Sequence, residues 1–246
     1  GVSHLIFPDE VQNLEAPDTP AGGPAGRITV REIAPPATAL SDAVTLLGKS
    51  RRPVIIVGHG ARYHMPAVLA LAERLNAPVV TTFKGKGLVS DRDPLGCGVL
   101  GRSGTPIASW FMNESDCLLV FGASFSNHTG ITPKKPTIQV DFDPMALGRF
   151  HPIDVPVWGE IGVTAHALLE ALPAAPDTED QRPQVAERWA LWREEKARRE
   201  TEARGRGLDS ASIFAALTRT VPEDAVIAVD VGNNTYSFGR YFECTR

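Results

Sequence analysis

Four short apolar runs constrain this chain more than any other feature: Val54-Ile55-Ile56-Val57, Pro78-Val79-Val80-Thr81-Thr82, Cys117-Leu118-Leu119-Val120-Phe121 and Thr137-Ile138-Gln139-Val140-Asp141. Each is apolar almost throughout rather than alternating. Strands of that kind are buried on both faces. The segments between them carry helical periodicity. Leu40, Ala43, Val44 and Leu47 share one face before Gly48, and Val68, Leu71, Ala72 and Leu75 share another behind Pro66. A further helix is expected around Pro106–Asn113. Val155-Pro156-Val157-Trp158 reads as a fifth strand, at an edge because proline cannot donate to a ladder, and Thr164–Leu172 closes the unit as a helix.

Buried strands alternating with helices predict an α/β fold. Its core is a parallel, Rossmann-like sheet with right-handed crossovers and helices on both faces. Ligands of such sheets bind beyond the carboxyl ends of the strands. Those ends carry Gly58, Lys84, Gly122 and Asp141 here.

The 246 residues leave room for one large domain, or for one domain and part of a second. A net charge of −4 gives no footprint for nucleic acid or an anionic membrane. No apolar run approaches the ~20 residues of a membrane span. Nor does the N-terminus carry the basic and apolar regions of a secretory signal. Cys97, Cys117 and Cys244 are scattered and odd in number, so they read as free thiols in a reducing, cytoplasmic setting.

The flanks differ in character. His4–Val11 reads as a short strand stopped by Pro8, and the Pro/Gly/Ala-rich stretch from Ala16 to Gly26 as a linker. Pro173–Pro183 reads as a second linker. A charged helix follows from about Gln184 to Arg204, with Glu194–Arg198 and Glu195–Arg199 as i,i+4 pairs. Its apolar stripe of Val185, Trp189 and Trp192 is expected to pack on its own domain. Asp209 or Ser210 caps a helix through Thr220, and Ala225–Val229 is a last strand running into the loop Asp230–Thr235.

Among candidate site residues, Gly58-x-Gly60 sits at a strand-to-helix turn, where backbone amides can meet a phosphate. Tyr63 replaces the third glycine of the dinucleotide fingerprint, and Thr81-Thr82 stand where an acidic ribose partner belongs, which argues against a nicotinamide dehydrogenase. Lys84-Gly85-Lys86-Gly87 adds flexible backbone and two cations for a diphosphate, and Arg102 could join them. Asp141 and Asp143 could accept from ribose hydroxyls, or Asp143 could cap a turn before Pro144. His59, His128 and His151 are scattered, so no catalytic residue and no metal ligand is assigned within the chain.

The order of these motifs resembles the middle domain of thiamine-diphosphate-dependent enzymes of the acetolactate synthase and pyruvate oxidase type. The resemblance rests on Arg52–Gly60, Ala77–Gly87, Ser115–Gly122 and Ile138–Pro144 with Gly148, and it covers nearly the whole chain. Gly1–Val11 is similar to the last strand of the preceding pyrimidine-binding domain, and Ala228–Asn234 to the first strand and loop of the following diphosphate-binding domain.

The resemblance implies six parallel strands over residues 26–172, with 1–25 ending the pyrimidine-binding domain. It makes 173–207 a linker and charged helix, and 208–246 the opening of the diphosphate-binding domain. The implied parent is a homo-dimer or homo-tetramer that takes thiamine diphosphate and Mg2+ and decarboxylates or ligates a 2-oxo acid. Gly58, Gly60, Lys84, Gly85, Lys86, Gly87, Gly122, Asp141 and Asp143 match the nucleotide-binding positions of the middle domain, which holds FAD or ADP in some members and nothing in others. Gly232, Asn233 and Asn234 match the loop that touches thiamine diphosphate. Acetolactate synthases carry an arginine where this chain has Ser124, which points away from FAD.

The activating glutamate would lie before Gly1, and the G-D-G motif with its magnesium ligands beyond Arg246. The 246 residues alone are therefore expected to be inactive. Two rival readings are a stand-alone flavin-binding electron-transfer module and a structural domain with an empty site.

Overall fold

The computed structural model describes residues 4–20, 22–126, 129–132, 134–202, 205 and 207–245. Gly1 to Ser3 of the opening motif, His128, and the Arg204 end of the charged helix lie outside the described residues. Two compact units are present, residues 1–31 and 32–246. The first holds helix α1 (Asp9–Gln12) and no strand among its described residues. The strand expected at His4–Val11 is thus replaced by a turn of helix behind Pro8, because an apolar run without a ladder partner has nothing to pair its backbone with.

The second unit is built on six parallel strands in the order β3-β2-β1-β4-β5-β6. They are β1 (Pro53–Val57), β2 (Val79–Thr81), β3 (Gly96–Val99), β4 (Cys117–Phe121), β5 (Thr137–Asp141) and β6 (Val155–Trp158). Every adjacent pair is parallel, with Val54 opposite Leu118 and Ile55 opposite Val79. The four runs that opened the argument are therefore the four inner strands. At the β6 edge, Val155 and Val157 are buried while Pro156 and Trp158 face out.

Helices α2 (Ala37–Leu47), α3 (Met65–Leu75) and α5 (Ile161–Ala171) pack one face of the sheet against Ile55, Val57, Leu119 and Phe121. Helices α4 (Pro106–Glu114) and α6 (Arg182–Thr201) pack the other against Val54, Ile56, Leu118 and Val120. Alternate residues of each strand thus feed two separate cores, which is why the runs show no polar alternation.

Strand β3 has no counterpart among the runs read from the sequence. Its Gly-Cys-Gly-Val has little β propensity, and it forms because α6 covers it. The Trp189 indole donates to the Gly96 carbonyl at 2.7 Å, and Val185, Trp189 and Trp192 enter the core beneath. The apolar stripe of α6 packs as expected. Its charge pairing differs in one respect: Arg199 meets Glu195 at 2.7 Å, but Arg198 takes Glu195 and Glu202 rather than Glu194.

Downstream, Asp209 caps α7 (Ser210–Thr220) through the Ser212 amide. The strand expected at Ala225–Val229 does not form, since no neighbouring strand pairs with it among the described residues and Val226 is 99 % exposed. The expected loop at Asp230–Thr235 becomes helix α8 (Asn233–Tyr241) from Asn233 onward. Phe238, Tyr241 and Phe242, at i, i+3 and i+4, are the periodic signal for it. Its Gly239 lies so close to the Ser103 carbonyl that a Cβ would sit 2.3 Å away.

Candidate functional site

Strand β1 crosses over to β2 on one side, and β4 to β5 on the other. The crevice between the carboxyl ends of β1 and β4 is therefore the topological switch point. The Gly58–Gly60 turn follows β1 there, and Gly122 follows β4. The two turns are sewn together: the Gly58 amide donates to the Phe121 carbonyl at 2.9 Å, and the Gly60 amide to the Gly122 carbonyl at 3.0 Å. A Cβ on Gly58 would meet that carbonyl at 2.2 Å, and one on Gly122 (φ +59°) would meet the Gly60 Cα at 2.6 Å. Gly85 joins the seam, its absent Cβ 2.9 Å from the Val57 carbonyl. The glycines are needed here for backbone to meet backbone.

Asp141 and Asp143 stand at the next strand end. Asp141 is half-buried and accepts from the Asp143 amide at 2.9 Å; burial pushes its carboxyl up, against that hydrogen bond. Asp143 is exposed and accepts from the Met145 amide at 2.9 Å, which is the turn cap that Pro144 suggested.

Sequence reasoning missed Gln139, a lone amide in a buried apolar strand, although that oddity was a legible signal. Its side chain donates to the carbonyls of Ala123 (3.0 Å) and Ala146 (3.1 Å) and accepts from the Gly148 amide (2.9 Å). It thereby fixes the loop after β4 and the turn after β5. Gln139→Leu keeps the bulk but strands these groups in the interior. We expect a loss of about 2–4 kcal/mol, read as a lower urea midpoint with unchanged slope. An unchanged midpoint would show that water reaches the loop.

The two lysines separate. Lys84 is exposed at the edge. Lys86 turns inward, its side chain 6 % exposed, to Asp91 at 3.7 Å and to the rings of Phe238 and Phe242. It is thus not held at the open edge with Gly58, and its charge is committed because a buried cation needs a partner. Gly87 (φ +91°) lies beside Cys244. Arg102 is exposed, and its carbonyl accepts from Arg240. Ser124 is exposed as well. Gly232, Asn233 and Asn234 begin α8, exposed, with the Gly232 amide donating to the Thr235 hydroxyl at 3.2 Å.

Asp91 is a second residue the sequence did not flag. It exchanges hydrogen bonds with the backbone of Cys244, donating through its amide at 2.7 Å and accepting at 2.8 Å. Burial pushes its carboxyl up, opposed by Lys86. Next to it, Glu243 receives Lys196 and Arg193. Burial would raise the Glu243 carboxyl, but those hydrogen bonds outweigh it and hold it below the usual range.

A depressed carboxylate stabilises the fold above its ordinary pKa, and the contribution is lost as pH falls through the folded value. Glu243→Gln should therefore lower the urea midpoint near neutral pH and flatten its fall below the ordinary value of 4.5. Parallel acid limbs for the two proteins would refute the assignment. Burial also raises the thiols of Cys97 and Cys117, the latter to about 12, which makes them unreactive.

The fit to a nucleotide is uneven. Asp141 suits a ribose, but the Gly60 amide and Lys86, expected on the diphosphate, are already engaged. As arranged, this edge does not fit the diphosphate of FAD or ADP. The start of α8 does suit a diphosphate: two exposed side-chain amides stand at the positive end of a nine-residue helix.

The model of the thiamine pyrophosphate enzyme central domain matches residues 40–168, which span the whole six-stranded sheet. The acetolactate synthase large subunit of Parasynechococcus marenigrum is 29 % identical over 203 residues, 80 % of this chain and 32 % of that protein. The sulfoacetaldehyde acetyltransferase of Rhodobacter capsulatus is 30 % identical over 228 residues, 82 % of this chain and 39 % of that one. This chain thus spans about a third of the length of such relatives. The fold is shared with an X-ray structure from Mycobacterium smegmatis titled as a thiamin diphosphate-dependent enzyme, at a TM-score of 0.66 and 18 % identity over 93 % of this chain and 44 % of that one. Among the described residues no helix is long and apolar enough to cross a membrane. With its six-stranded sheet matched from end to end, the chain belongs to the thiamine pyrophosphate enzyme family and carries that family's central domain.

Proposed function

We propose that this chain serves a longer cytoplasmic enzyme, a homo-dimer or homo-tetramer, that uses thiamine diphosphate and Mg2+ to decarboxylate or ligate a 2-oxo acid. The observation that carries the reading is the family match lying on the whole parallel sheet, with acetolactate synthases among the relatives. Residues 26–172 form the central domain, 1–25 end the pyrimidine-binding domain, and 208–246 open the diphosphate-binding domain.

Thiamine diphosphate supplies, when bound, an electron sink for breaking or forming a carbon–carbon bond beside a carbonyl. Asn233 and Asn234 would hold its diphosphate through their side-chain amides and the first-turn amides of α8, with Gly232 opening the turn that presents them. The test is a panel of 2-oxo acids, assayed on the longer enzyme for carbon dioxide release and for condensation product. Asn234→Ala should raise the thiamine diphosphate concentration needed for half-maximal activity several-fold. An unchanged requirement would remove the loop from the site. The 246 residues alone should release no carbon dioxide above background.

The central domain itself acts as a scaffold, because its glycine seam is closed where a diphosphate would enter. Calorimetry with FAD and with ADP should show no binding heat. A saturable heat with either would mean that the bond from Gly60 to Gly122 opens for a nucleotide, and the scaffold reading would fall.

A further inference from the structure

A cleft of about 550 Å³ opens where four segments meet: the loop after β3, the last turns of α6, the first turn of α7 and the body of α8. Arg102 lines it from the loop, Arg199 from α6, Ser210 from α7, and Tyr236, Ser237 and Arg240 from α8. Three cations drawn from three separate segments are not the solvated face of one helix. Gathering like charges costs energy unless something offsets it.

Arg199 is already engaged, meeting Glu195 at 2.7 Å and donating to the Tyr241 hydroxyl at 2.7 Å. Arg240 reaches only backbone, its Nε donating to the Gly104 carbonyl at 3.2 Å and its Nη2 to the Arg102 carbonyl at 3.3 Å. A guanidinium carries five donors, so most of this fork remains available. Among the described residues neither Arg102 nor Arg240 pairs with a carboxylate, and both are exposed, within reach of a ligand from water. One carboxylate, Asp209, also lines the cleft, and it accepts from the Ser212 amide at 2.8 Å as the cap of α7. Three guanidiniums against Asp209 and Glu195 leave positive charge in excess.

We propose that this cleft binds a short dicarboxylate, one carboxylate on Arg102 and the other on Arg240. Each guanidinium is a planar fork that matches one planar carboxylate, and two forks from two segments call for two of them. The carbon body lies against Leu208 and Tyr236, which are 80 % and 43 % exposed and offer an apolar wall. The volume far exceeds what an inorganic anion fills and suits a small organic one. Such a ligand ties the loop after β3 to α8, whose Gly239 already abuts the Ser103 carbonyl. No step of the proposed thiamine-diphosphate chemistry enters this reading, so either can fail without the other.

The test titrates the 246-residue chain with succinate, glutarate and adipate, with the monoamide of each, and with inorganic phosphate. Calorimetry near neutral pH and at low salt reads the affinity. At least one diacid should saturate with Kd of roughly 1 mM or below. Its monoamide, with one charge fewer, should bind at least about tenfold more weakly. Arg102→Met should raise Kd at least about tenfold and leave the melting temperature of the free protein unchanged, since that side chain is exposed and holds no carboxylate. Arg240→Lys keeps the charge and loses the fork, so Kd should rise about threefold to tenfold.

Hydrogen exchange is the second readout. A saturating diacid should slow exchange across 233–241 in the wild type and not in Arg102→Met. If Arg240→Lys folds poorly, Arg102→Met decides alone. Absence of saturation with every diacid up to roughly 10 mM would overturn the proposal. So would equal binding of diacid and monoamide, wild-type affinity in Arg102→Met, or phosphate binding more tightly than all three diacids.

Discussion

Gly58→Val should cost at least about 3 kcal/mol of stability, the upper end of overpacking, whatever its effect on any ligand. A Cβ there would sit 2.2 Å from the Gly122 carbonyl and 2.7 Å from Ala123, both on the loop after β4. Neither can yield, since the Gly58 and Gly60 amides hold that loop and Gln139 grips the Ala123 carbonyl beneath it. The two central strands would have to part at their carboxyl ends. Small domains have only about 5–15 kcal/mol in hand, so much of the protein should be lost to aggregation at 37 °C. Urea unfolding at lower temperature supplies the number. A variant as stable as wild type would mean that the two turns are not in contact, and the closed-seam argument would go with them.

Asp91→Ala should cost about 3–5 kcal/mol, because it leaves the Lys86 ammonium buried with no counter-charge. It also removes the acceptor of the Cys244 amide, so segment 242–245 should lose hydrogen-exchange protection. Asp91→Asn separates these effects. It keeps an oxygen for the amide and loses the charge, so tail protection should survive better than global stability. A loss below about 1 kcal/mol in the alanine variant, the range of an exposed pair, would show that Lys86 reaches solvent.

The sequence by itself determined the layered architecture. Ile55, Val57, Leu119 and Phe121 serve one core, and Val54, Ile56, Leu118 and Val120 the other. A strand that must satisfy two apolar layers has no polar positions left, and that pattern survives in one dimension. Helix α6 was legible for a similar reason, since Val185, Trp189 and Trp192 recur at its period. So was the cap at Asp143, which local backbone chemistry fixes.

Long-range partners decided the rest. Gly96–Val99 is a strand because Trp189 covers it, whereas Ala225–Val229, better by composition, is none because no neighbour pairs with it among the described residues. Gly58-x-Gly60 looked like a place for a phosphate; only its close approach to Gly122 shows that the backbone itself fills the space. Lys84 and Lys86 stand two residues apart and read alike, yet Lys84 stays in water while Asp91 draws Lys86 inside. Propensity and periodicity act within a few residues, whereas burial and charge pairing act between segments far apart in the chain. The first can be read along a line, and the second exists only once the chain has closed on itself.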